Sequence, residues 1–218
     1  MNKTQVSEQF ILVPNGQIYL KRWLPAEIVH KSPVILFHDS LGCVETWREF
    51  PLKLAEQLKR EVIAYDRLGF GKSSPRLELP SIRFIAEEGE IFFPEIIKSL
   101  GIETYSLFGF SVGGGMALTI AGMYPHVCES VISESAQAFV EDRTREGIST
   151  AAKDFKNPAA FAKLHKYHGE KAHWVLDAWV KVWLSSEFTN WSLKPVLKEV
   201  KCPVLVIHGD KDEFGSLK

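Results

Sequence analysis

A serine framed by glycines, a few carboxylates that close apolar runs, and seven histidines are the residues of this 218-residue sequence that could do chemistry together. The serine is Ser111, within Phe108-Gly109-Phe110-Ser111-Val112-Gly113-Gly114-Gly115. A hydroxyl is a poor nucleophile, so it must be held out from the backbone, close to a general base and beside amides that can hold an oxyanion. The spacing G-x-S-x-G meets that need where a strand turns sharply into a helix: the glycines permit the turn, and the helix start offers free N–H groups. The flanks fit this setting. Tyr105-Ser106-Leu107-Phe108 is a short apolar run of strand type, and Met116 to Ala121 is of helix type.

The carboxylates fall at the ends of other apolar runs. Asp210 and Asp212 follow Pro203-Val204-Leu205-Val206-Ile207-His208, and Glu134 closes Cys128 to Ser133. Asp39 and Asp66 follow Pro33 to Phe37 and Glu61 to Tyr65, and read as residues that hydrogen-bond loop amides.

These runs must belong to a sheet. Asn15-Gly16 between two alternating runs, Phe10 to Val13 and Gln17 to Trp23, predicts a hairpin. Pro33 to Phe37 is continuously apolar, the mark of a strand buried on both faces. Helical spacing marks Trp47 to Lys59, and Ser81 to Leu100 with a kink or division at Pro94 and a stop at Gly101. Strands alternating with helices predict a doubly wound α/β fold with a mostly parallel sheet. From 139 to 191 only helix signals appear, including four of the six tryptophans, Trp174, Trp179, Trp183 and Trp191. We therefore expect an α/β core over 1–138, a helical cap or lid over 139–191, and a return to the core over 192–218. Trp179 and Trp183, with Leu41 and Phe110, are the expected apolar wall of a substrate pocket over Ser111.

Composition narrows the class. The chain is 45% hydrophobic and 24% charged with a net charge of −1, which leaves no basic footprint for nucleic acid or an anionic membrane. The first ten residues carry no apolar signal region and no run is long enough to span a bilayer, so a cytoplasmic protein is expected. Cys43, Cys128 and Cys202 are far apart in sequence without C-x-x-C spacing, and read as reduced packing residues.

Taken together, the motifs resemble the α/β-hydrolase superfamily over essentially the whole chain. His38-Asp39-Ser40-Leu41-Gly42 is similar to its oxyanion loop after the third strand, although a glycine is more usual at Asp39. Asp66 to Ser73 is similar to its loop after the fourth strand, Gly109 to Gly113 to its nucleophile elbow, and Pro203 to Asp212 to its seventh strand and acid. The resemblance implies Ser111 as nucleophile and the amides of Val112 and Ser40 as oxyanion donors, with Leu41 a weaker alternative to Ser40. It implies Asp212 as the orienting acid, with Asp210 and then Glu134 as alternatives. The chemistry expected is hydrolysis of a small hydrophobic carboxylic ester through a Ser-Asp-His triad and an acyl-enzyme, with no cofactor or metal. A serine at the elbow argues against dehalogenase and epoxide-hydrolase chemistry, which needs a carboxylate there. Lactonase, thioesterase, aminopeptidase and carbon–carbon hydrolase activities stay open.

The triad of this fold runs Ser, acid, His in chain order, and no histidine follows Asp212 in this sequence. The expectation is a longer protein whose base lies beyond Lys218, because without a further strand Val204 to Ile207 is an apolar sheet edge. Such an edge would also permit pairing between copies into a homo-oligomer. The alternatives are a catalytically inactive, lidded protein that binds a small apolar ligand, or recruitment of another histidine. His38 and His208 read as held in loop hydrogen bonds, and His165, His168 and His173 as solvated helix residues.

Overall fold

Continuously apolar strands require cover on both faces, and the computed structural model, which describes residues 3–217, places them at the centre of a seven-stranded sheet. The strands are β1 (Gln5–Val13), β2 (Gly16–Leu24), β3 (Val34–Phe37), β4 (Val62–Tyr65), β5 (Tyr105–Phe110), β6 (Cys128–Glu134) and β7 (Val204–Ile207). Their order is β1-β2-β4-β3-β5-β6-β7; the pairs β1/β2 and β2/β4 are antiparallel and the rest parallel. Asn15 takes the left-handed conformation in the β1–β2 turn, and β1 begins at Gln5, earlier than its apolar residues indicate.

The helices are α1 (Phe50–Leu58), α2 (Phe84–Glu87), α3 (Phe93–Leu100), α4 (Val112–Met123), α5 (Asp142–Asp154), α6 (Pro158–His168), α7 (Ala172–Trp183) and α8 (Lys194–Leu197). The helix predicted from Trp47 is split. Val44–Trp47 forms a 3-10 turn, and α1 starts at Phe50 with Pro51 in its first turn, where a missing N–H costs no bond. The helix expected to be kinked or divided at Pro94 is interrupted just before it, with Pro94 in the first turn of α3. There α2 passes into α3 through a π-turn, Glu88–Phe92, in which the Phe93 N–H reaches back five residues to the Glu88 carbonyl. The wider turn makes room for a proline ring that would otherwise clash with the preceding turn. Gly101 then ends α3 at φ 63°.

Strand order positions the site. The chain runs outward in one direction through β4 and in the other through β5 and β6, so β3 and β5 are neighbours at the point where the order reverses. Ligands of open α/β sheets bind outside the carboxyl ends of strands at that point. The register sets Phe37 opposite Gly109, which brings the segments starting at His38 and at Phe110 side by side.

Helices α5, α6 and α7 lie between β6 and β7. Leu164, Ala172 and Val175 pack with Phe70, Leu41 and Trp174 against the loops after β3 and β4. At the other end of the sheet order β7 is an edge, with Leu205 and Val206 55% and 65% exposed. Among the described residues no helix is long and apolar enough to cross a membrane. The cysteines are free thiols, but Cys128 and Cys202, distant in sequence, meet across the β6–β7 pair at 3.8 Å between sulfurs, and Cys202 is only half-buried.

Candidate active site

Ser111 sits between β5 and α4 at φ 54°, ψ −126°, a left-handed backbone strained for a residue with a side chain. Its N–H donates to the Glu134 carbonyl at 2.8 Å, fixing the turn to β6. The glycines around it are needed for closeness. A Cβ on Gly109 would lie 2.1 Å from the Gly113 carbonyl oxygen, and one on Gly113 would lie 2.1 Å from that of Phe37. The first turn of α4 therefore presses on the end of β3. Val112 opens α4, so its N–H has no partner within the helix and stands at the positive end of the helix dipole.

The loop after β3 is fixed by side chains. His38 is fully buried, and its Nε2 accepts the Arg67 N–H at 3.2 Å, which leaves Nδ1–H to donate to the Asp39 carbonyl at 2.8 Å. Arg67 Nη2 donates to the same carbonyl at 2.7 Å, while its guanidinium lies 4.3 Å from the Phe70 ring centre. Burial holds the His38 imidazole well below its ordinary pKa, with Arg67 adding to the effect, so the ring is neutral as this bonding requires. The peptide between Asp39 and Ser40 is planar and trans. A grip on its carbonyl therefore aims the Ser40 N–H the opposite way. That N–H makes no hydrogen bond among the described residues, whereas the Leu41 N–H is occupied by Asp39 Oδ1 at 2.7 Å. Of the two alternatives Ser40 is the donor left free.

Behind this loop Asp66 ties two segments: Oδ1 accepts from Val44 N–H and Oδ2 from Lys72 N–H, each at 2.6 Å. Burial raises the pKa of both Asp39 and Asp66, opposed at Asp39 chiefly by the Leu41 N–H and at Asp66 by those of Val44 and Lys72.

A cavity of about 500 Å³ joins these elements. Ser111, Ser40, Leu41, Phe110, Trp179, Trp183 and Asp212 all line it, with Ile148 and Phe214 adding apolar wall and Asp39, Ser135, Gln137, Thr144, Lys211 and Glu213 polar wall. Two of the three tryptophans of α7, Trp179 and Trp183, reach the same cavity as the serine because they lie four residues apart on one face of that helix. Asp212 Oδ1 accepts from the Phe214 and Gly215 N–H groups at 2.8 and 3.0 Å, which orients the carboxylate. Its loop is held by α5, where Thr144 Oγ1 donates to the Phe214 carbonyl and Arg143 to that of Asp212. Asp210 is exposed and absent from the cavity wall, and Glu134 meets Ser111 through its backbone carbonyl.

No histidine lines this cavity among the described residues. His165 and His173 are exposed, but two expectations need correction. His208 is not held in loop hydrogen bonds: Nε2 is buried without a partner among the described residues, and Asp212 Oδ2 lies 3.9 Å away. His168 is not solvated but 3% exposed, with Nδ1 2.9 Å from the Gly71 N–H and Nε2 2.8 Å from the Leu41 carbonyl. Its position in the last turn of α6 beside basic residues disguises it, since its partners lie 97 and 127 residues away. Arg67, Thr144 and Phe214 carried no local signal either.

Known proteins share the fold. The model of the alpha/beta hydrolase fold matches residues 32–162. A proline iminopeptidase of Lactobacillus delbrueckii subsp. bulgaricus is 29% identical over 135 residues, 62% of this chain and 45% of that protein. The human serine hydrolase BPHL is 27% identical over 186 residues, 82% of this chain and 62% of that one. The chain thus spans about half the length of the curated relatives it matches. Among solved structures, a proline iminopeptidase of Mycobacterium smegmatis superposes with a TM-score of 0.66 at 23% identity over 95% of this chain and 83% of that one. A hydrolase from Pseudomonas aeruginosa gives 0.71 at 16% over 97% and 83%, a likeness of fold. With the match covering more than half of its length, the chain belongs to the alpha/beta hydrolase fold family.

Proposed function

We propose that this chain carries the nucleophile, oxyanion hole and acid of a serine hydrolase that cleaves small hydrophobic carboxylic esters. The observation that carries the reading is Ser111 at φ 54° on the strand–helix turn, in one cavity with Ser40 and Asp212. Ser111 Oγ attacks the ester carbonyl, and the oxygen that gains negative charge is received by the Val112 and Ser40 N–H groups. Asp212 orients the histidine that takes the serine proton and returns it to the leaving alcohol, and water then releases the acid. No histidine of residues 3–217 faces the cavity, so the reading requires one brought to Ser111 from outside this stretch. The helices between β6 and β7 act as the cap, and their aromatic wall supports an uncharged acyl or alcohol portion. The relatives include a peptidase and a serine hydrolase, so the carbonyl chemistry is common ground while the ester is our own choice.

That no described histidine lines the cavity supports a second reading, a capped protein that binds a small apolar ligand without turning it over. A fluorophosphonate probe on the full-length protein separates the two. The enzyme reading expects labelling of the parent, none of Ser111→Ala, and a loss of roughly 10⁵–10⁶ in kcat for that variant. Equal labelling of Ser111→Ala refutes the assignment of the nucleophile, and an unlabelled parent that still binds an apolar ester supports the binder.

A further inference from the structure

We propose that His168, at the end of the inserted helix α6, is a positioning residue that fixes the oxyanion loop through the Leu41 carbonyl; this rests on the reading of Ser40 as an oxyanion donor.

The imidazole bridges three distant segments. The Gly71 N–H can only donate, so Nδ1 accepts it at 2.9 Å, and in the neutral ring the proton is then on Nε2, donating to the Leu41 carbonyl at 2.8 Å. Burial favours that neutral form, and the nearby Lys171 and Arg67 charges reinforce it. An imidazolium would carry two donors and lose the Gly71 bond.

The bond to Leu41 closes the fixation of the loop. Its upstream peptide is held at the Asp39 carbonyl by His38 and Arg67, the Leu41 N–H by Asp39 Oδ1, and the Leu41 carbonyl by His168. The Ser40 N–H between these anchors makes no bond among the described residues. His168 is the anchor that comes from the insertion, so it couples the place of that segment to the geometry of the site.

The fold of the α6–α7 corner does not depend on it alone. Lys171 Nζ donates to the Phe70 and Ser73 carbonyls, the Trp174 ring occupies the space a Cβ on Gly69 would need, and Leu164, Ala172 and Val175 pack on Phe70. Loss of His168 therefore leaves the corner docked while freeing the Leu41 carbonyl.

Two amide substitutions in the full-length protein separate the bonds. His168→Gln places a carboxamide N–H where Nε2–H stood and can still reach Leu41; His168→Asn offers its oxygen in place of Nδ1 and keeps only Gly71. Removing a whole oxyanion donor costs about 10²–10³ in kcat, and loosening one should cost about tenfold. We expect His168→Asn to lose about tenfold in kcat with KM changed less than about twofold, and to weaken a trifluoromethyl ketone transition-state analogue in proportion, because the donor acts on the transition state. His168→Gln should recover most of both. If His168→Asn keeps parental kcat, or if both variants fall equally in step with their melting temperatures, the inference is overturned. If Ser111 of the parent does not react with a fluorophosphonate, the underlying reading falls first and this one with it.

Discussion

The two amides proposed as oxyanion donors are held in place by opposite means. Val112 N–H is set by backbone: a strained serine, an unpaired helix start and two glycines whose carbonyl neighbours leave no room for a Cβ. Ser40 N–H is set by side chains, His38, Asp39, Arg67 and His168, which converge from three places in the chain. The difference teaches where each half of the site is vulnerable. A steric arrangement fails as folding, whereas a hydrogen-bonded one can lose precision with the fold intact.

The sharpest break of the backbone half is Gly113→Ala. The new Cβ meets main chain, the Phe37 and His38 carbonyl oxygens at 2.1 and 2.8 Å, and main chain at the centre of a buried sheet cannot step aside. We expect a loss of at least about 4 kcal/mol in chemical denaturation, the range reached when core backbone must shift. A parent-like midpoint would show that the helix start has more freedom than its packing indicates.

The side-chain half is probed by Arg67→Met. The substitution keeps the packing on Phe70 and removes the donor at 2.7 Å from the Asp39 carbonyl, so the Ser40 peptide loses its charged grip. Expected is a fall of about 30-fold in kcat, between a loosened and a lost oxyanion donor, on enzyme whose concentration is fixed by titration of Ser111. If kcat holds and KM alone rises, Arg67 serves substrate binding and the comparison loses its second arm. The His168 pair then gives the smallest expected effect.

The same contrast explains what the sequence could reveal. The elbow is legible because its requirements are contiguous: apolar run, glycine, serine, glycine and helix within a dozen residues, and the mostly parallel sheet follows from the alternation of strand and helix runs. Leu41 and Ser40 were separable only once Asp39 Oδ1 was seen on the Leu41 N–H, a bond between neighbours that depends on the turn they adopt. Arg67 and His168 were invisible as site residues because hydrophobic periodicity says nothing of a polar contact made 28 or 127 residues away. Pro94 marked the break in its helical run, but the sequence did not show that the break would be a π-turn. The two cysteines that meet across β6 and β7 show once more that sequence distance is a poor guide across a parallel sheet.

The central claim is that Ser111 and the two amides form one catalytic unit, and the structure of the fluorophosphonate adduct of the full-length protein tests it most directly. Phosphorus is expected bonded to Ser111 Oγ, with the phosphoryl oxygen at about 2.7–3.1 Å from both the Val112 and Ser40 nitrogens. An adduct on another residue, or a phosphoryl oxygen turned away from the Ser40 N–H, would contradict it.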